Sequence, residues 1–191
     1  MELTGASEPG ATGGWALVRG LPRERRIAVA ALSAALALAC LVRFGFDGRT
    51  LVGAVFCATL MLLAAIDLER RLIPNAIVLP ATAIVLFAQI AFFPDHTVEW
   101  LIASLGAALF FFVPTLVYPA GLGMGDVKLA ALLGAALGKS VVGAILVGLL
   151  AGAAFSIFVL LREGMSARKK AIAYGPFLAF GGVLVLLLGG R

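Results

Sequence analysis

Seven apolar runs, at about 27–42, 50–66, 76–93, 100–120, 127–138, 140–161 and 172–190, follow one another with only short polar or basic segments between them. Most approach the ~20 residues an α-helix needs to cross the hydrocarbon of a bilayer. No run alternates polar and apolar residues as a strand would, and an open sheet in lipid leaves backbone groups unsatisfied. The pattern predicts an all-α fold, a polytopic transmembrane bundle of about seven helices. Composition points the same way: 62% of the 191 residues are hydrophobic and 13% are charged. A soluble domain sits near one half and one quarter, so lipid must be the solvent for most of this chain.

Residues 1–26 are polar, Gly-rich and end in Arg19, Arg23, Arg25 and Arg26. They read as a disordered basic tail, with a membrane-embedded domain over 27–191. A basic stretch before an apolar run also describes a signal peptide. Ala37-Leu38-Ala39-Cys40 loosely resembles a lipoprotein cleavage site, but Ala37 stands where Leu is usual, so the first run is taken as a transmembrane helix or uncleaved anchor. The run 127–138 is short and is expected to form a hairpin with the next through Gly138-Lys139-Ser140.

The basic residues set an orientation. With the N-terminus in the cytoplasm and one crossing per run, the inside segments hold Arg19, Arg23, Arg25, Arg26, Arg70, Arg71, Lys128, Arg162, Arg168, Lys169 and Lys170. The outside segments hold Arg43, Arg49, Lys139 and Arg191. This bias follows the positive-inside rule and predicts a multi-pass protein of the cytoplasmic (inner) membrane with its C-terminus outside. The net charge of +5 is spread in clusters between apolar runs and offers no basic face for nucleic acid. Cys40 and Cys57 lie inside apolar runs and form no CxxC pair, so they read as packing residues. No HExxH pattern is present and the lone His96 falls on the outside face, so the sequence predicts neither a metal site nor a cofactor.

Two aspartates end hydrophobic runs. Asp67 follows Leu62-Leu63-Ala64-Ala65-Ile66 with no polar cushion, a costly position that marks function or pairing; closing the helix at the interface is the structural alternative. Asp126 follows Gly121-Leu122-Gly123-Met124-Gly125, whose glycines permit close approach of another helix or a peptide. An N-cap on the next helix would also account for it. The topology puts both aspartates at the cytoplasmic face, although 59 positions separate them. Two carboxyls brought close share one proton and titrate as a unit. The ionised member can take a proton from water while the protonated one hydrogen-bonds a scissile carbonyl, as in aspartic proteases.

Gly123-Met124-Gly125-Asp126-Val127-Lys128-Leu129 resembles the GxGD signature of type IV prepilin peptidases. Asp67-Leu68-Glu69-Arg70-Arg71-Leu72-Ile73-Pro74-Asn75 is similar to that family's first aspartate motif, and Tyr174-Gly175-Pro176-Phe177-Leu178-Ala179-Phe180-Gly181 to its terminal segment. The resemblance covers about residues 50–190. It implies a membrane aspartyl endopeptidase with Asp67 and Asp126 as the catalytic pair. Its expected partner is a prepilin-like substrate, cut after a short basic leader and before a hydrophobic helix, for pilus assembly or secretion. Larger bacterial members carry a cytoplasmic insertion that goes with N-methylation. Here only Arg43-Phe44-Gly45-Phe46-Asp47-Gly48-Arg49 separates the first two runs, which implies peptidase without methyltransferase activity. The short form is similar to the peptidases of Flp/Tad-type pili and to preflagellin peptidases.

Supporting residues are expected at Gly123, Gly125, Lys128 and Glu69. Lys128 would sit near one carboxylate or snorkel to the interface. Glu69 and Glu163 would meet a basic leader or balance neighbouring arginines. Pro74 and Asn75 are expected to end one helix and cap the next, and Pro114 and Pro119 to kink the fourth run. Three rival readings remain: a presenilin or signal-peptide-peptidase type intramembrane protease, whose Pro-Ala-Leu motif this sequence lacks, an ion-coupled transporter using the aspartates as ion ligands, and a catalytically inactive assembly factor. The sequence does not specify an oligomeric state.

Overall fold

The computed structural model describes residues 14–117, 123–163 and 173–189. Among them are the helices α1 (Gly14–Arg19), α2 (Arg23–Phe44), α3 (Gly48–Arg70), α4 (Asn75–Phe92), α5 (Thr97–Val117), α6 (Met124–Leu137), α7 (Val141–Glu163) and α8 (Gly175–Leu188), with 3-10 turns at Pro94–His96 and Gly138–Ser140. No strand occurs among the described residues. Five helical stretches are long and apolar enough to cross a membrane: Arg23–Phe44, Gly48–Arg70, Asn75–Phe92, Pro94–Val117 and the 39-residue Met124–Arg162. The chain is thus the all-α polytopic bundle that its apolar runs predict.

Local chemistry sets the helix boundaries. Gly45, at φ 69°, ends α2, and Asp47 caps α3 by accepting a hydrogen bond from the Gly48 N–H. At the other end of α3, Arg71 turns into the left-handed region at φ 51° while its N–H still bonds the Asp67 carbonyl. A non-glycine residue adopts that conformation at a cost. Ile73 precedes Pro74, which disfavours continued helix, and α4 starts at the next residue.

Side-chain register shows how the helices alternate. Ser104 Oγ donates to the Ala131 carbonyl at 2.9 Å, and Gly138 packs against Trp100, so α5 runs antiparallel to α6. Gly181 lies on the Ala144 backbone and Gly152 on Tyr174, so α7 runs antiparallel to α8. Gly182 also meets Leu133, and both α6 and α8 start at the end where α3 finishes, through Gly125 on Ile73 and Gly175 on Asp67, so α6 runs parallel to α8 and opposite to α7. The 39-residue stretch is therefore the expected hairpin, folded at Gly138, whose φ is 57°. Its first arm, α6, is apolar on every side and forms the centre of the bundle: Leu129, Ala130, Leu132, Leu133 and Ala135 are at most 1% exposed. Gln89 ties α4 to α6 with a 2.8 Å bond from Nε2 to the Ala136 carbonyl, satisfying a buried amide that would otherwise be costly.

One expectation differs. The sequence places residues 1–26 in a disordered tail, yet Gly14–Arg19 forms α1 and Arg23 already opens α2. Leu21 is buried, Val18 packs against the core, and Arg25 pairs with Glu69 at 3.4 Å. A six-residue helix shows no readable period, and its anchors are single residues. Residues 1–13, Pro119, Gly121, Leu122, Arg168, Lys169, Lys170 and Arg191 lie outside the described residues. Pro114 is inside α5, where it removes one helical donor.

Candidate active site

Asp67 stands in the last turn of α3 and is 6% exposed. A buried carboxyl in an apolar bundle must find a donor. It finds the N–H of Gly175, 108 residues away, which donates to Oδ2 at 3.0 Å. Gly175 begins α8, so Asp67 also sits at the positive end of a helix dipole. The contact needs glycine: a Cβ at position 175 would stand 2.6 Å from Asp67 Oδ2. Pro176, second in α8, suits that place because its missing N–H would be unpaired there anyway.

Asp126 is the third residue of α6. Its Oδ2 reaches back to accept the Gly123 N–H at 3.3 Å, the acidic half of a capping box. The N-cap position itself belongs to Gly123 (φ −85°, ψ 151°) and not to Asp126. The two glycines of the signature do different things. A Cβ on Gly123 would meet nothing nearer than 3.8 Å, whereas one on Gly125 would stand 2.9 Å from Ile73 Cβ. Gly125 lets the turn between α3 and α4 press against the start of α6.

Asp67 and Asp126 are thereby brought to one end of the bundle, because Gly125, next to Asp126, packs on Ile73 just past the end of α3. Lys128 is at this end too. Its Nζ donates to Asn75 Oδ1 at 2.6 Å and ties α6 to the start of α4. Asn75 consequently does not cap α4, whose N-cap is Pro74 with no side-chain bond. Glu69 is paired with Arg25, and Glu163 ends α7. Sequence reasoning did not assign the role of Gly175: the terminal segment is visible as a motif, but nothing in it says which backbone N–H meets which carboxyl. Cys40 and Cys57 are fully buried where α2 meets α3, with Cys40 against Gly53, and Cys57 stands well before Asp67 along α3. No group of three His, Cys, Asp or Glu side chains among the described residues could hold a metal ion.

Two carboxyls at the ends of apolar helices, each held by a backbone N–H at a helix start, form a site suited to proton transfer onto and from a peptide carbonyl. Residues 54–160 match the type IV leader peptidase family. Among curated proteins, the chain is similar to the prepilin leader peptidase/N-methyltransferase of Bacillus subtilis (strain 168), 31% identical over 166 residues that cover 82% of this chain and 65% of that protein. The protein of the same name from Burkholderia pseudomallei (strain K96243) is 31% identical over 163 residues, 82% of this chain and 52% of the relative. That of Xanthomonas campestris pv. campestris is 30% identical over 175 residues, 83% of this chain and 57% of the relative. The chain therefore spans little more than half the length of most of these relatives. No solved structure matches it.

Proposed function

The chain belongs to the type IV leader peptidase family, and from that premise we propose that it is an aspartyl endopeptidase that removes a short basic leader from prepilin-like substrates at the cytoplasmic face of the inner membrane. The observation that supports this reading is that the end of α3, which carries Asp67, and the start of α6, which carries Asp126, meet at one end of the bundle through Gly125 on Ile73 and Lys128 on Asn75. In the proposed reaction the pair holds one proton. The ionised carboxyl draws a proton from water as its oxygen attacks the scissile carbonyl carbon. The protonated carboxyl donates to the carbonyl oxygen, and the collapsing intermediate passes a proton to the leaving amine. The Gly175 N–H keeps Asp67 Oδ2 in place and leaves its other oxygen free of that bond.

The basic residues support the placement at the cytoplasmic face. Arg25, Arg70, Arg71 and Lys128 lie at the aspartate end, and Arg43, Arg49 and Lys139 at the other. We assign only the peptidase step to this chain. Three residues, Gly45–Asp47, join α2 to α3, which leaves no inserted domain at that point. The test uses purified protein in lipid nanodiscs with a candidate prepilin. Mass spectrometry should find the leader released and the new N-terminus unmethylated in the presence of a methyl donor. An intact substrate would overturn the peptidase assignment, and a methylated product its restriction to one step.

A further inference from the structure

A lateral groove of about 600 Å³ opens between α5 and α7, with apolar walls and only Glu99 and Lys139 as charged residues, both at its lower end. Its depth relative to the aspartates follows from the helix register. On α5, the pairings of Trp100 with Gly138 and of Ser104 with Ala131 carry up one wall to Phe110, level with the first turn of α6, where Asp126 stands. On α7, Gly148 packs on Leu178 and Gly152 on Tyr174, so Leu149 is level with the first turn of α8, where Gly175 holds Asp67. From Phe110 to Val98 the groove descends about 18 Å, at 1.5 Å per helical residue. It ends at the opposite face, where Glu99 Oε1 accepts the Lys139 N–H at 3.2 Å.

We propose that this groove seats the hydrophobic helix of the substrate while the preceding peptide bond lies at Asp67 and Asp126. This deepens the peptidase reading and rests on it. A segment that is cut at one membrane face and then crosses the bilayer needs a path along the enzyme that starts at the depth of the aspartates. The α5–α7 groove does so. The other large apolar groove, of about 750 Å³ beside Ala37, Leu38, Leu41, Leu51 and Ala54, does not. Cys40 of α2 meets Gly53 of α3, and Arg25 meets Glu69, so that second groove stays in the half away from Asp67. The chosen wall also suits a helix. A Cβ on Gly106 would meet no atom within 4 Å. With Ala103 and Ala107 beside it, the position lets another backbone come close. Phe110 and Ile102, 57% and 65% exposed, form the rim.

A photo-reactive phenylalanine analogue at Ile102 or Phe110, in the Asp126→Asn chain in nanodiscs, should crosslink a full-length prepilin. The same analogue at Leu38, in the other groove, should give at least fivefold less product. In a second arm, Gly106→Leu should raise KM for the full-length prepilin about tenfold more than KM for a short peptide that ends a few residues past the cut. Equal crosslinking at Leu38, or an equal change in the two KM values, would overturn the groove assignment alone. Failure of the parent chain to cleave either substrate would instead overturn the peptidase reading, and this assignment with it.

Discussion

Replacing Gly175 with alanine adds one carbon 2.6 Å from Asp67 Oδ2, 3.1 Å from its Cγ and 3.3 Å from its Cβ. An ordinary contact needs nearly 1 Å more from the oxygen, and the neighbours leave little room to supply it. On one side, Asp67 belongs to α3, whose Leu63 and Ile66 are buried. On the other, α8 lies against the Ala144 backbone at Gly181 and against Leu133 and Leu60 at Gly182. The carboxyl therefore rotates away and loses the Gly175 bond, or α8 shifts outward. Overpacking of this kind costs roughly 1–3 kcal/mol of stability. Misplacing a reacting group by about 1 Å costs on the order of 100-fold in rate. The expected result for Gly175→Ala is a fall of about 100-fold in kcat, with KM for the prepilin changed less than threefold and the bundle still folded in a thermal-shift assay. Cleavage at the parent rate would refute the reasoning, because Asp67 would then not depend on the Gly175 contact.

Gly123→Ala and Gly125→Ala should part company: the first leaves cleavage within about threefold, the second lowers melting temperature and rate together, since only Gly125 faces Ile73 at short range; stopped prepilin assays and thermal shifts read both. Glu69→Gln should lower stability by no more than about 1 kcal/mol, because Arg25 is half exposed in that pair; a denaturation midpoint checks it. Lys128→Met and Asn75→Ala should be non-additive, with a coupling of about 1–2 kcal/mol for the bond that joins α6 to α4, read from a double-mutant cycle. Chelators and serine-directed reagents should leave cleavage unchanged, since a carboxyl pair needs neither a metal nor a nucleophilic side chain.

Much of the fold was legible because lipid imposes a simple code. Apolar runs of membrane length separated by breakers have one structural solution, and the short run 127–138 announced its hairpin through Gly138. The short α1 was not legible, since Leu21 and Val18 hold it by contacts with distant residues. At the site, topology placed Asp67 and Asp126 at one end, but contact partners carry no local signal. Lys128 bonds Asn75, where the sequence suggested a carboxylate or the interface, and Asn75 does not cap α4. The difference between Gly123 and Gly125 depends on Ile73 standing behind one of them, which spacing alone does not report.

The claim that Asp67 and Asp126 act as one catalytic pair is tested most directly by the two single variants Asp67→Asn and Asp126→Asn. Each keeps the side chain's shape, and its amide oxygen can still accept the backbone N–H, while the acid–base function is removed. With both proteins folded in nanodiscs and supplied with the same prepilin, the account predicts that each change alone lowers leader release by at least 1,000-fold and that the double variant is no slower than either. Cleavage at the parent rate by either single variant would contradict it.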